Sequence, residues 1–268
     1  MWFPIRMIDI LAGVAKVLTG ASGVWIDNKP EKKQRIYFAN HTSNLDTIII
    51  WSALPSNLRS ITRPVAAKDY WNQPGIRQHI ATKELNVVFV ERNKETRTED
   101  PLNPLRVALN EGYSLIIFPE GKRNAEVIPG EFKSGIYHLK QEYPHVEFIP
   151  VYLENVAKTF PRGAFFPLPI ICKAFFGKEI TFDVHENDSK ETKIEFLNHC
   201  RDKVINLIPH YVLDSLKNAQ QKFNDWAEKR KDGIKESLLN NLDTDFFKLL
   251  DEFTIARSRK HIEKFYKL

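Results

Sequence analysis

A histidine and an aspartate stand five positions apart in the run NHTSNLD, residues 40–46. If His41 and Asp46 meet in space, the carboxylate can accept a hydrogen bond from one imidazole nitrogen. That fixes the tautomer and leaves the other nitrogen free to take a proton from a nucleophile. The same spacing also suits a capped helix start with an incidental histidine, and the pair alone does not decide between the two. Ile36, Tyr37, Phe38 and Ala39 ahead of it predict a strand, and Ile48, Ile49, Ile50 and Trp51 behind it predict a helix. Thr42, Ser43 and Asn44 are capping candidates, which would set Asp46 in the first helical turn.

Other apolar runs end in charge. Asn86 to Val90 predicts a second strand and is followed by Glu91 and Arg92, and Ser114 to Phe118 predicts a third that runs into FPEGKRN, residues 118–124. Pro119 and Gly121 mark the end of that strand, with Glu120, Lys122 and Arg123 crowded into the turn. Ends of buried strands are where α/β proteins commonly carry their sites. A fourth strand, Val146 to Leu153, contains Pro150, which predicts an edge position or a bulge. Taken singly, Arg92 and Arg123 read as solvated surface charges.

NHTSNLD, FVER at 89–92, FPEGKRN and IPVYL at 149–153 occur in the order of the four sequence blocks of the glycerolipid acyltransferases. The chain resembles the 1-acylglycerol-3-phosphate acyltransferase type of that family over roughly residues 35 to 180, and the FKSG run at 132–135 agrees. It departs from the pattern at Lys122, where the family more often has threonine, and at Glu91.

The resemblance implies transfer of a fatty acyl group from a thioester, on coenzyme A or acyl carrier protein, to the free hydroxyl of a lysolipid. His41 would be the general base and Asp46 its orienting partner, with the acceptor attacking directly. Arg92 and Arg123 would bind an acceptor phosphate, with Lys133 a third cation, because the arginine fork matches phosphate oxygens in pairs. Glu120 would organise these cations or bind an acceptor hydroxyl, Gly121 would let the backbone approach substrate, and Pro150 would shape the pocket wall. Lysophosphatidate is the expected acceptor. Another lysophospholipid or a lyso-aminolipid is the alternative, and a membrane-associated binding module without turnover is a third reading, against which the intact His41 and Asp46 speak.

Composition sets wider bounds. The 268 residues carry a net charge of +5 and two cysteines, with 43% hydrophobic content, enough for a core. Cys172 and Cys200 are spaced for neither metal nor disulfide and read as buried, inert thiols. The eight histidines are scattered, so no metal site is expected, and no Walker loop or dinucleotide fingerprint is present. No cofactor is expected beyond the thioester co-substrate. Nucleic acid is not an expected partner, since no dense basic stripe occurs.

Residues 1–26 are apolar but interrupted by Arg6, Asp9 and Lys16, and no run approaches the roughly 20 residues of a spanning helix. Ile8, Leu11, Ala15 and Leu18 follow helical spacing, with Trp2 and Phe3 as anchors. Residues 1–26 are therefore expected to form an amphipathic helix in the membrane interface, which places the protein on the cytoplasmic face as a peripheral or monotopic protein; ordinary packing of that helix on the domain is the alternative.

The expected fold is α/β, a mixed central sheet of about six or seven strands flanked by helices, over residues 27–216. Residues 217–268 form a helical tail of unassigned role with twelve Lys or Arg against nine Asp or Glu. Phe246, Leu249, Leu250 and Phe253 mark its last apolar face, and residues 253–266 faintly resemble a segment of some bacterial helicase ATPases without any nucleotide motif.

Overall fold

The computed structural model describes residues 13, 16–17, 19–71, 75–91, 99–124, 126–160, 168–185 and 188–228. Among them, seven strands form one mixed sheet: β1 Ser22–Trp25, β2 Arg35–Ala39, β3 Thr62–Ala67, β4 Val88–Val90, β5 Ser114–Ile117, β6 Glu147–Glu154 and β7 Lys173–Phe176. Their spatial order is β1-β7-β6-β2-β5-β3-β4. The strands from β6 across to β4 run parallel, while β7 runs antiparallel to β6 and takes β1 beside it in parallel. Parallel neighbours need crossovers. Helices α1 Asp46–Ala53, α2 Asn103–Asn110 and α3 Gly135–Glu142 lie in the segments that make them. The expected mixed α/β sheet with flanking helices is what forms.

β2 sits at the centre with all five residues buried, as a near-continuous apolar run predicts for a parallel strand covered on both faces. Its Arg35 is buried too, and its Nε donates to Glu147 Oε2 at 2.8 Å. On one face Tyr37 packs edge-on against Phe176, which in turn stacks on Trp25 with ring centroids 4.2 Å apart. This aromatic row ties β1 to the centre of the sheet through β7.

Three expectations are corrected by this arrangement. Pro150 lies neither on an edge nor at the margin of the sheet, because β6 is paired on both sides. A proline is tolerated there because its missing donor falls at the last rung beside β7: Gly177 N–H still donates to the Pro150 carbonyl at 2.9 Å. The Gly177 carbonyl is satisfied instead by the Asn28 side-chain amide at 2.8 Å. Secondly, the amino-terminal helix does not extend to residue 26. Gly20 takes a φ of +56°, a conformation open to glycine, and residues 22–25 are a strand held on β7. Residues 1–12 lie outside the described residues, so the membrane-facing helix expected there does too. Thirdly, the second strand starts at Val88 rather than Asn86, since Asn86 turns the chain with a φ of +50°.

α4, Lys190–Ile205, is capped by Ser189, whose hydroxyl accepts from Thr192 N–H at 3.2 Å. Pro209 then precedes α5, His210–Glu228. Among the described residues, those up to Leu207 belong to one compact unit and α5 to a second. The expected boundary between residues 216 and 217 falls inside α5. The apolar face expected at Phe246 to Phe253 lies outside the described residues.

Candidate active site

β2 and β5 are neighbours in parallel register, with Phe38 opposite Ile117, so His41 and Glu120 leave the sheet side by side. Asn40 is buried and faces β6. It accepts from Leu153 N–H at 2.7 Å and donates to the Leu153 carbonyl at 3.3 Å. The side-chain amide thus imitates a backbone rung and carries the pairing of β2 and β6 one residue past the end of the strand.

His41 is gripped through its backbone. Its N–H donates to Glu120 Oε1 at 2.8 Å, and its carbonyl accepts from Asn124 N–H at 2.6 Å. The imidazole stacks on Phe118, centroids 4.3 Å apart and planes 20° off parallel. Nδ1 lies 2.8 Å from Asp46 Oδ2. A carboxylate only accepts, so Nδ1 carries the hydrogen and Nε2 keeps its lone pair. Nε2 has no hydrogen-bond partner among the described residues, and the side chain is part-exposed. The pair that sequence spacing suggested meets in space.

Asp46 is 0% exposed, and an unpartnered carboxylate there would cost several kcal/mol. It is not unpartnered. Besides His41 it accepts from the N–H groups of Thr42 and Ser43 and from the Thr42 hydroxyl at 3.0 Å. It is the first residue of α1, where the positive end of the helix dipole favours a negative charge. The residues expected to cap α1 do not do so with their side chains: the cap is Leu45, with no side-chain bond. The reversal has a plain cause, since the aspartate bends back and takes the loop amides for itself. The Ser43 hydroxyl accepts from Leu45 N–H at 3.4 Å and donates to the Phe160 carbonyl at 3.2 Å.

Glu120 is 4% exposed. Both its oxygens are occupied by backbone amides, His41 on one and Gly130 at 2.9 Å on the other. It ties the loop after β2 to the segment around residue 130, where its expected role was to organise cations or bind an acceptor hydroxyl. Gly121 has a φ of +68°, which favours glycine, and a Cβ there would lie 2.7 Å from Lys133 Nζ, the movable end of an exposed side chain. The lysine chain covers the backbone that was expected to face substrate. Lys133 is anchored by its own N–H on the Pro119 carbonyl at 2.9 Å while its side chain is exposed. Arg123 is half-buried and makes no ion pair or side-chain hydrogen bond among the described residues. It stands one residue before Asn124, beside the His41 carbonyl. Pro150 is buried within β6, with its Cγ against Gly177. Arg92 lies outside the described residues.

Sequence reasoning missed Asn40, Phe118, Asn124 and Gly130 as parts of this site. The first three lie inside the quoted runs, so their position was visible while their partners, one or more strands away, were not. Elsewhere, burial pushes the thiols of Cys172 and Cys200 up, away from the thiolate form. No cluster of three or more His, Cys, Asp or Glu among the described residues could hold a metal ion.

Comparison with known proteins converges on the same segment. The family model described as Acyltransferase matches residues 24–154. A 1-acyl-sn-glycerol-3-phosphate acyltransferase of Limnanthes alba is 28% identical over 144 residues, covering 53% of this chain and 49% of that protein. A probable 1-acyl-sn-glycerol-3-phosphate acyltransferase of Mycoplasma pneumoniae is 31% identical over 130 residues, covering 47% and 44%. The chain thus spans about half the length of the curated relatives it matches. The crystal structure of the 1-acyl-sn-glycerophosphate acyltransferase PlsC from Thermotoga maritima shares the fold, with a TM-score of 0.55, 20% identity and coverage of 75% of this chain and 76% of that one. With the sheet, the four ordered sequence blocks and the matching model agreeing, residues 24–154 of this chain are a domain of the acyltransferase family.

Proposed function

We propose that the chain transfers a fatty acyl group from an acyl thioester to the free hydroxyl of 1-acylglycerol-3-phosphate, giving phosphatidate. The observation that carries this reading is the 2.8 Å bond from His41 Nδ1 to Asp46 with Nε2 left open. An alcohol is a weak nucleophile at neutral pH and needs a base within hydrogen-bond reach. Nε2 takes the hydroxyl proton as the oxygen attacks the thioester carbonyl. The tetrahedral intermediate then expels the thiolate, which receives the proton from the imidazolium, so the histidine is restored and no enzyme ester forms. Asp46 stabilises the transient cation. Both buried cysteines are poor alternatives for a covalent route, because their thiols are held neutral.

Arg123 is the described cation best placed for the acceptor phosphate, since it is uncommitted and adjoins the segment that binds the His41 carbonyl. Arg92 and Lys133 are the further candidates. The donor is an acyl group on coenzyme A or on acyl carrier protein. Peripheral attachment at the cytoplasmic face of a membrane suits the substrates. It is supported by the exposed apolar residues Val17, Leu168 and Ile171, the last two in the segment that follows Phe160, which Ser43 binds. Among the described residues no helix is long and apolar enough to cross a membrane.

A matrix of acyl-CoA and acyl carrier protein donors against lysophosphatidate, lysophospholipids and a lyso-aminolipid tests the reading. Lysophosphatidate should be the acceptor with the highest kcat/KM. Preference for an acceptor without a phosphate monoester would remove the assignment, and failure of every acceptor would remove acyl transfer itself.

A further inference from the structure

His41 and Glu120 emerge where the parallel strands end. At the opposite end of the same strands, beside the first residue of β3 and the residue before β5, lies a cavity of about 340 Å³. Arg59, Arg63 and Lys83 line it against one acidic residue, Glu84, whose Oε1 lies 3.9 Å from His79 Nε2.

The three cations differ in how they are held. Arg63 is fixed: its guanidinium lies 3.4 Å over the Tyr113 ring, and Nη1 donates to Glu111 at 3.2 Å. Its Nε and Nη2 face the Asn86 side-chain oxygen at 3.2 Å once that amide is turned to satisfy both groups. Asn86 itself is set by its left-handed backbone, φ +50°, two residues after a π turn over Ile80–Glu84, an irregularity that recurs at functional sites. Arg59 rests 4.9 Å over the Trp51 ring and has no ion pair among the described residues. Lys83 has no side-chain partner among them. Two uncommitted cations therefore face the same cavity as a guanidinium already oriented by its neighbours.

Three cations face two acids here, Glu84 on the cavity wall and Glu111 on Arg63, so positive charge is in excess and a ligand of high negative charge density relieves the repulsion. Guanidinium forks and an ammonium match the oxygens of a phosphate group, and the volume lies within the range of small-molecule pockets. We propose that this cavity is a second binding site, separate from the His41 site, for a phosphate dianion, either free or carried as a monoester. The proposal uses no residue of the acyl-transfer reading and stands or falls apart from it.

Isothermal titration of the full chain at low, constant chloride, with inorganic phosphate and with adenosine 5′-monophosphate as probes, tests it. An Arg123→Ala background removes the first phosphate candidate near His41. One saturable site is expected in that background, weakened about tenfold or more by Arg59→Ala with Lys83→Ala. Lys83→Glu alone should weaken it as well, which guards against a loss of fold in the double variant. Phosphate binding as tightly as the nucleotide would assign a free-anion site, and tenfold tighter nucleotide binding would assign a monoester site. Absence of saturable binding, or binding unchanged in folded variants of both kinds, would overturn the proposal.

Discussion

His41 and Arg123 lie on two loops that leave adjacent strands at the same end of the sheet, yet they are held in opposite ways. Around His41 the N–H, the carbonyl, one ring nitrogen and one ring face all have partners drawn from other elements. Arg123 is joined through the chain to Asn124, which binds His41, but its guanidinium has no partner among the described residues. A base must hold its reacting nitrogen to a fraction of an ångström, because misplacement of about 1 Å can cost on the order of a hundredfold in rate. A group that binds a flexible phosphate ester gains from freedom to follow it. On the proposed reading, the contrast separates a residue that makes the reaction from one that selects the substrate.

The largest effect that would break this contrast lies at the base itself. His41→Ala should lower kcat by about two to four orders of magnitude with little change in melting temperature. Near-normal turnover of the purified variant would place the chemistry elsewhere.

Glu120 sharpens the same side of the comparison. In Glu120→Gln the side chain offers one acceptor where two amides need one each, so either His41 or Gly130 loses its partner. The expected loss is about tenfold to a hundredfold in kcat, accompanied by about 1–3 kcal/mol of stability from a buried amide left unpaired. KM for both substrates should hold, as a clamp on the base requires. A rise in acceptor KM at constant kcat would give Glu120 a binding role instead.

Arg123→Ala addresses the unpartnered side. Acceptor KM should rise about tenfold, the equivalent of one charge-assisted contact, while thioester KM and kcat stay within about twofold. An unchanged acceptor saturation curve would exclude Arg123 from the phosphate role.

The smallest effect concerns the cysteines. Both thiols are buried and shifted upward by that burial, so the reactive thiolate is depleted at any pH below their raised values. Native protein at about pH 8, where an exposed cysteine would be partly ionised, should resist iodoacetamide when followed by intact mass. Rapid labelling accompanied by loss of transfer would reopen a covalent mechanism.

Much of the scaffold could be read from residues alone, for reasons that also explain the omissions. β2, β5 and β6 are apolar runs long enough to declare themselves. β3 did not, because Thr62, Arg63 and Pro64 break both apolar continuity and alternation. β1 was absorbed into a helical pattern, since Val24 and Trp25 extend the apolar content of the segment before them, and only pairing with β7 makes it a strand. The dyad was visible because both its members lie in one short run. The Glu120 clamp and the Asn40 rung were not, because each joins residues from 79 to 113 positions apart. Such partners follow from strand order, which local pattern does not encode. Pro150 was misjudged for a related reason: the Asn28 side chain that makes it acceptable inside the sheet is remote in sequence.

A double-mutant cycle on kcat across His41→Ala and Asp46→Asn tests most directly whether the two residues act as one base. Asp46→Asn alone should cost about two to three orders of magnitude, as groups that orient a catalytic histidine do. Added to His41→Ala it should cost no more than about twofold further, because its effect runs through the imidazole. Multiplied penalties in the folded double variant would mean that Asp46 acts independently, and would contradict the dyad.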